Sequence, residues 1–144
     1  MRNEVAPTHS NRYGSMTRIL SIGCFDILHT GHLNHLSHAA MLGDHLTVAV
    51  YTDEVVEAYK GRQPIMSLKE RIGVVAALRC VQYTVPLYER RFLKLLDNIR
   101  PDILVVGSSW GTLDIHKEAE ALVKTVRIPY TEGISTSIIR EKLC

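Results

Sequence analysis

Apolar residues along this chain fall into short runs that alternate with stretches of helical spacing. Arg18–Gly23, Leu46–Tyr51, Val81–Val85, Ile103–Val106 and Thr125–Ile128 are brief and rich in Val, Ile or Leu. Runs of that kind fit strands covered on both faces. Between them, His32–Leu42 sets Leu33, Leu36 and Ala40 on one stripe, and Leu68–Leu78 does the same with Ile72, Val75 and Ala76. The second of these opens on Ser67 with Glu70 three residues later, a capping box. Glu89–Ile99 (with Leu93, Leu96 and Ile99), Asp114–Val123 and Ser135–Leu143 complete the helices. Such alternation predicts an α/β fold, a doubly wound, parallel five-stranded sheet. Ligands in such folds bind at the carboxyl ends of strands, near the switch point.

The segment Met1–Ser15 has no apolar periodicity and is expected to be a flexible leader, partly vector-derived, with Met16 as the natural start. One domain over residues 16–144 is what the length of 144 residues allows. Hydrophobic residues at 46% and charged residues at 22% are ordinary for a soluble domain. A net charge of +2 is too mild to imply a nucleic-acid partner. No apolar run has transmembrane length, and no signal-peptide core opens the chain. A cytoplasmic protein without membrane insertion is expected. Cys24, Cys80 and Cys144 lack CxxC spacing, which argues against a disulfide framework, and Cys24 reads as a packing residue.

The chemistry concentrates in Gly23-Cys24-Phe25-Asp26-Ile27-Leu28-His29-Thr30-Gly31-His32, where a strand ends and a helix begins. Helix N-termini attract anions, because their first N–H groups lack partners and the macrodipole is positive there. Gly31 lets a phosphate approach the backbone, and His29 and His32 can donate to phosphoryl oxygens as charge grows on them. Helix capping by the same two imidazoles is the bland alternative. His35 and His38 continue the spacing of three, but three helical residues advance about 300°, so the four rings cannot converge on one metal ion. His35 and His38 read as surface or packing residues, and no metal-binding side chain is assigned.

A second anion cradle is expected where Gly133 turns the chain and Ser135, Thr136 and Ser137 open the last helix. A third element is basic. Lys60 and Arg62 flank Gly61, and Arg71 and Arg79 share a broad face of the next helix.

GCFDILHTGHLNHL, SLKERIGVVAALRCV, VVGSSW and YTEGISTSIIR occur in the order and spacing of the cytidylyltransferases, and the chain from Thr17 to Leu143 resembles that family. The resemblance is nearest to glycerol-3-phosphate cytidylyltransferase. It implies a Rossmann-like HxGH nucleotidyltransferase fold and transfer of CMP from CTP to a phosphorylated alcohol or polyol, releasing pyrophosphate. Mg²⁺ as cofactor and a homodimer formed through Arg79-Cys80-Val81 are also implied. Carried over by position, His29 and His32 stabilise the α-phosphate transition state, and Lys60 and Arg62 close over the phosphates as further catalytic groups. Gly23, Cys24, Phe25, Asp26, Gly31, Arg71, Arg79, Gly107, Trp110, Thr131, Glu132, Gly133, Ile134, Ser135, Thr136 and Ser137 are the implied nucleotide-binding residues, with Asp26 helping to place Mg²⁺.

Two positions depart from the pattern. Gly107-Ser108-Ser109-Trp110 stands where the family has Gly-Asp-Asp-Trp, which removes an acceptor for the cytosine amino group. Tyr130 stands where the family has Arg, so one positive charge is missing. Transfer of AMP from ATP to a phosphorylated small molecule is the alternative, and a catalytically silent nucleotide-binding module is another. Because a phosphate oxygen already carries negative charge at neutral pH, in-line attack requires no protein base.

Overall fold

The computed structural model describes residues 16–108, 110 and 114–143, the side chains of 114 and 115 excepted. The leader expected over Met1–Ser15, and also Ser109 and Cys144, lie outside the described residues. Five strands, β1 (Arg18–Gly23), β2 (His45–Tyr51), β3 (Tyr83–Leu87), β4 (Ile103–Val106) and β5 (Lys124–Arg127), form one sheet. All its pairings are parallel and its order is β3-β2-β1-β4-β5. The doubly wound five-stranded sheet expected from the alternation is therefore the fold. Its order reverses between β1 and β4, and that places the crevice beyond Gly23 and Val106.

Helices α1 (Thr30–Met41) and α3 (Leu68–Ala76) cover one face, where Leu36, Ala39 and Val75 pack on Ile19, Val48 and Val50. Helices α2 (Asp53–Lys60), α4 (Phe92–Ile99) and α5 (Asp114–Leu122) cover the other, with Val55, Val56, Phe92, Leu96 and Ala119 against Leu20, Ile22 and Ala49. Helix α6 (Thr136–Leu143) closes the fold. Helix α2 was not among the expected elements. Its signals are nonetheless local: Thr52 caps it, Asp53 and Glu54 fill its first turn, and Gly61 ends it at φ 77°. Eight residues with two buried valines are too few for a periodic stripe to show.

Arg71 corrects an expectation. It is fully buried, and its guanidinium donates to the carbonyls of Met66, Cys24 and Tyr51 and pairs with Asp53. These partners come from the end of β1, the end of β2, the start of α2 and the approach to α3. The side chain is a structural tie with no face turned to a ligand. Replacing Arg71 by Leu strands three buried carbonyls and one carboxylate. It is expected to cost about 3 kcal/mol, read as a lower urea midpoint at unchanged m-value.

Candidate active site

Beyond β1 the chain makes a strained turn. Phe25 and Ile27 stand at φ 55° and 49°, in the left-handed region that a β-branched residue such as Ile27 seldom occupies. Asp26 between them is 5% exposed, and its carboxylate accepts the N–H groups of Ile65 and Met66 at 2.8 and 2.9 Å. Its carbonyl accepts the Thr136 hydroxyl at 2.7 Å. The turn is thus held from two sides, by the approach to α3 and by the start of α6.

The turn delivers His29 to the N-cap of α1, and both rings of the motif then cap the helix. His29 Nδ1 accepts the N–H of Gly31 at 3.0 Å, and His32 Nδ1 accepts the N–H of His29 at 3.2 Å. The rings stack at 3.8 Å between centroids, 27° from parallel. An imidazole that accepts at Nδ1 carries its proton at Nε2. Capping therefore does not compete with the functional reading; it fixes the tautomer that turns two Nε2–H donors away from the helix. Burial, reinforced by the charges of His29, His35 and Lys60, pulls the His32 pKa down to about 3, and burial lowers that of His29. Both rings are neutral at physiological pH.

Gly31 is required by these rings. A Cβ there would stand 2.8 Å from His29 Cε1 and 2.9 Å from Nδ1. His35, one turn on, is the packing residue that was one of its two expected readings, and it also lines the cleft that opens over the pair. Its Nε2 pairs with the buried Ser21 hydroxyl of β1 at 2.9 Å, and burial takes its pKa down to about 4. It anchors α1 to the sheet beneath the pair. His38 is exposed.

A cleft of about 390 Å³ opens over these groups. Of the expected site residues it is lined by Gly23, Cys24, Phe25, Asp26, His29, Gly31, His32, Lys60, Arg62, Gly107, Trp110, Thr131, Ile134, Ser135, Thr136 and Ser137. Arg71, Arg79, Glu132 and Gly133 are not brought to it; Arg79, Glu132 and Gly133 are exposed elsewhere. Gly133 turns the chain at φ 82° ahead of α6. Not all three hydroxyls of the second cradle are free to bind an anion. Thr136 spends its proton on Asp26, whereas Ser135 Oγ accepts the N–H of Ile138 and keeps its own proton to donate. Cys24 packs against the core, and burial raises its thiol pKa.

Sequence reasoning missed Tyr51, Tyr59, Ile128 and Pro129, which also line the cleft. Tyr51 ends β2, so its place was readable from the rule that sites gather at strand carboxyl ends. His116 of α5 gave no such signal. Only the fold sets it under the cleft, stacked on Trp110 at 3.7 Å and paired with the Tyr51 hydroxyl at 3.1 Å.

A nucleotide-sized cleft with two helix N-termini and an HxGH pair agrees with the comparisons. The cytidylyltransferase-like family model matches residues 20–142. The chain belongs to the cytidylyltransferase-like family. As a nucleotidyltransferase of that family, it is 43% identical over 126 residues to the bifunctional protein HldE of Nitrosococcus oceani, covering 84% of this chain and 26% of that protein. It is 40% identical over 129 residues to HldE of Helicobacter pylori strain J99, covering 87% of this chain and 27% of that protein. The chain thus spans about a quarter of the length of these relatives. Among solved structures it resembles a lipopolysaccharide core biosynthesis protein from Thermoplasma volcanium, with a TM-score of 0.72 and 30% identity over 81% of this chain and 99% of that one. Pantoate-β-alanine ligase from Francisella tularensis, at 15% identity and a TM-score of 0.53 over 89% of this chain and 66% of that one, shares the fold.

Two outcomes test this geometry. Gly31→Ala pushes the His29 ring off its cap, and kcat for nucleotidyl transfer is expected to fall about tenfold or more while the unfolding midpoint moves little. The second concerns pH. The unfolded chain protonates its histidines near 6.5, whereas His32, His35 and His116 wait until about 3, 4 and 4. Their contribution to stability is complete above about pH 6.5 and is lost as pH falls through the folded values. His35→Gln keeps the bond to Ser21 without the titration, so its Tm is expected to drop less than wild type between pH 7 and about pH 4.5.

Proposed function

We propose that the chain transfers AMP from ATP to the phosphate of a phosphorylated sugar, with release of pyrophosphate. The observation that carries the transfer chemistry is the stacked, capped histidine pair, whose two Nε2–H donors meet growing phosphoryl charge without themselves being charged. His29 and His32 act on the α-phosphate. Ser135, Ser137 and the N-terminus of α6 receive the β- and γ-phosphates, and Lys60 and Arg62 close over the acceptor phosphate from the end of α2.

A sugar phosphate is favoured by the likeness to a lipopolysaccharide core biosynthesis protein at 30% identity. ATP is favoured by the base end of the cleft. Ser108, next to Gly107 in sequence, stands where the family pattern has a carboxylate, and Gly107, Ile128, Pro129 and Tyr130 line the cleft with flat, largely apolar surfaces suited to a purine. The Tyr130 ring lies 3.8 Å from where a Cβ on Gly107 would stand, so the slot is narrow. CTP with glycerol 3-phosphate, or a similar polyol phosphate, is the second reading, favoured by the family model. A silent binding module is disfavoured by the intact pair.

Asp26 is the one carboxylate lining the cleft among the described residues, and both its oxygens already accept backbone N–H groups. No cluster of three or more metal-binding side chains occurs among the described residues. That donor set fits Mg²⁺ arriving on the triphosphate, with Asp26 beside it, better than a resident ion. Bound with the nucleotide, the ion would spread the charge of the departing pyrophosphate. A homodimer through Arg79-Cys80-Val81 and a cytoplasmic reaction, where nucleoside triphosphates are supplied, go with this reading. No helix among the described residues is long and apolar enough to cross a membrane.

Thermal unfolding with Mg²⁺ and each nucleotide separates ATP from CTP. A ligand at about a hundred times its Kd adds about 2.7 kcal/mol, a Tm rise of roughly 5–10 °C. ATP is expected to give it, and a rise with CTP alone would support the polyol reading instead. Pyrophosphate release with a sugar phosphate is expected to fall about 10²–10³-fold in His29→Ala. An undiminished rate would end the proposed role of the pair.

A further inference from the structure

The family relation accounts for the phosphate-binding end of the cleft but leaves its aromatic end without a task. Tyr51 and Tyr59 line that end together with Trp110. Tyr59 reaches them from α2, its ring 6.0 Å from that of Tyr51 and edge-on to His116 at 6.2 Å. Trp110 is 8% exposed, lies flat on His116 at 3.7 Å and 17°, and meets the edge of Phe92 at 6.1 Å. His116 holds the Tyr51 hydroxyl. Burial lowers the His116 pKa to about 4, so the imidazole under Trp110 is neutral.

Trp110 Nε1 is also one of two buried side-chain nitrogens or oxygens among the described residues that lack a hydrogen-bond partner; the other is on Arg140. Buried polar groups are nearly always paired, and Trp110 belongs to the lining of the cleft, so its unpartnered donor points to a ligand. In-line displacement says which ligand. The nucleophile must approach the α-phosphorus opposite the leaving pyrophosphate. With pyrophosphate at the start of α6 and the base at Gly107 and Tyr130, the acceptor comes from the α2 side. There Lys60 follows Tyr59 directly and Arg62 comes after Gly61. Sugar rings lay their C–H faces on aromatic rings and need polar handles for their hydroxyls. This end of the cleft supplies both.

We propose that Tyr51, Tyr59, Trp110 and His116 form the subsite for the sugar ring of the acceptor, with Trp110 Nε1 donating to a sugar oxygen. His116 is a positioning residue that props the Trp110 ring and orients the Tyr51 hydroxyl. This rests on the acceptor being a sugar phosphate, and it moves Trp110 from the nucleotide to the acceptor.

Trp110 is the single tryptophan of the chain, so its emission reports the subsite directly. Hexose and heptose phosphates, glycerol 3-phosphate, inorganic phosphate, ATP and CTP are each titrated against the whole protein with Mg²⁺. A saturable change in emission is expected with at least one sugar phosphate and not with glycerol 3-phosphate or inorganic phosphate. Tyr59→Leu is expected to weaken that response about tenfold. In turnover, Trp110→Phe is expected to raise KM for the sugar phosphate about tenfold, with kcat and the nucleotide KM within about twofold. Emission that answers only to ATP or CTP, or to glycerol 3-phosphate as strongly as to sugars, overturns the subsite. So does sugar-phosphate turnover whose KM neither variant changes, and the transfer reaction then stands alone. A sugar phosphate that shifts the emission yet is consumed with no nucleotide leaves the subsite standing and removes the transfer reading.

Discussion

Everything at the crevice depends on one buried guanidinium. Arg71 gathers the carbonyls that end β1 and β2, the carbonyl of Met66 and the first carboxylate of α2 around a single planar cation. A charge taken out of water is tolerable only when its N–H groups all find acceptors, and those acceptors are in turn held where they are needed. The strand ends of a parallel sheet present carbonyls with no further strand to receive them. Here a side chain from α3 receives them. It sets the spacing between β1, which carries the histidine turn, and α2, which carries Lys60 at its end.

On that base the Asp26 turn adds the second constraint. Two residues in the left-handed region store strain that the local sequence does nothing to relieve, since neither is glycine. The strain persists because the carboxylate and carbonyl of Asp26 are each bonded to distant backbone or side-chain groups. What the strain yields is position. Without that turn, His29 would not fall on the N-cap, and the reciprocal capping that fixes both tautomers would have nothing to act on. Chemistry that asks for little beyond placement and charge stabilisation is well served by such over-determined geometry.

The fold was legible in the sequence because its signals are local and repeated. Runs of Val, Ile and Leu at the five strands and capping at Ser67 each speak for a short stretch on its own. The histidine motif and the start of α6 were legible for the same reason. Arg71 was misread because its type and spacing are those of a surface cation, and only the convergence of three distant acceptors with the nearby Met66 carbonyl makes it internal. His35 looked like one of a series, yet its partner is Ser21, a residue on the hidden side of β1. Tyr59 of α2 meets His116 of α5 behind the cleft wall, and no pattern within either helix announces that meeting. Helix α2 itself is too short for periodicity, though its caps are plain.

The bond from Thr136 to the carbonyl of Asp26 joins residues 110 positions apart. During synthesis, therefore, the strained turn leaves the ribosome long before its second support exists. Most of the sheet can pair before α6 emerges, but the His29 turn is held from one side only until then. Long-range closures of this kind come late and slowly in folding. The site that is written first in the chain is among the last features to be completed.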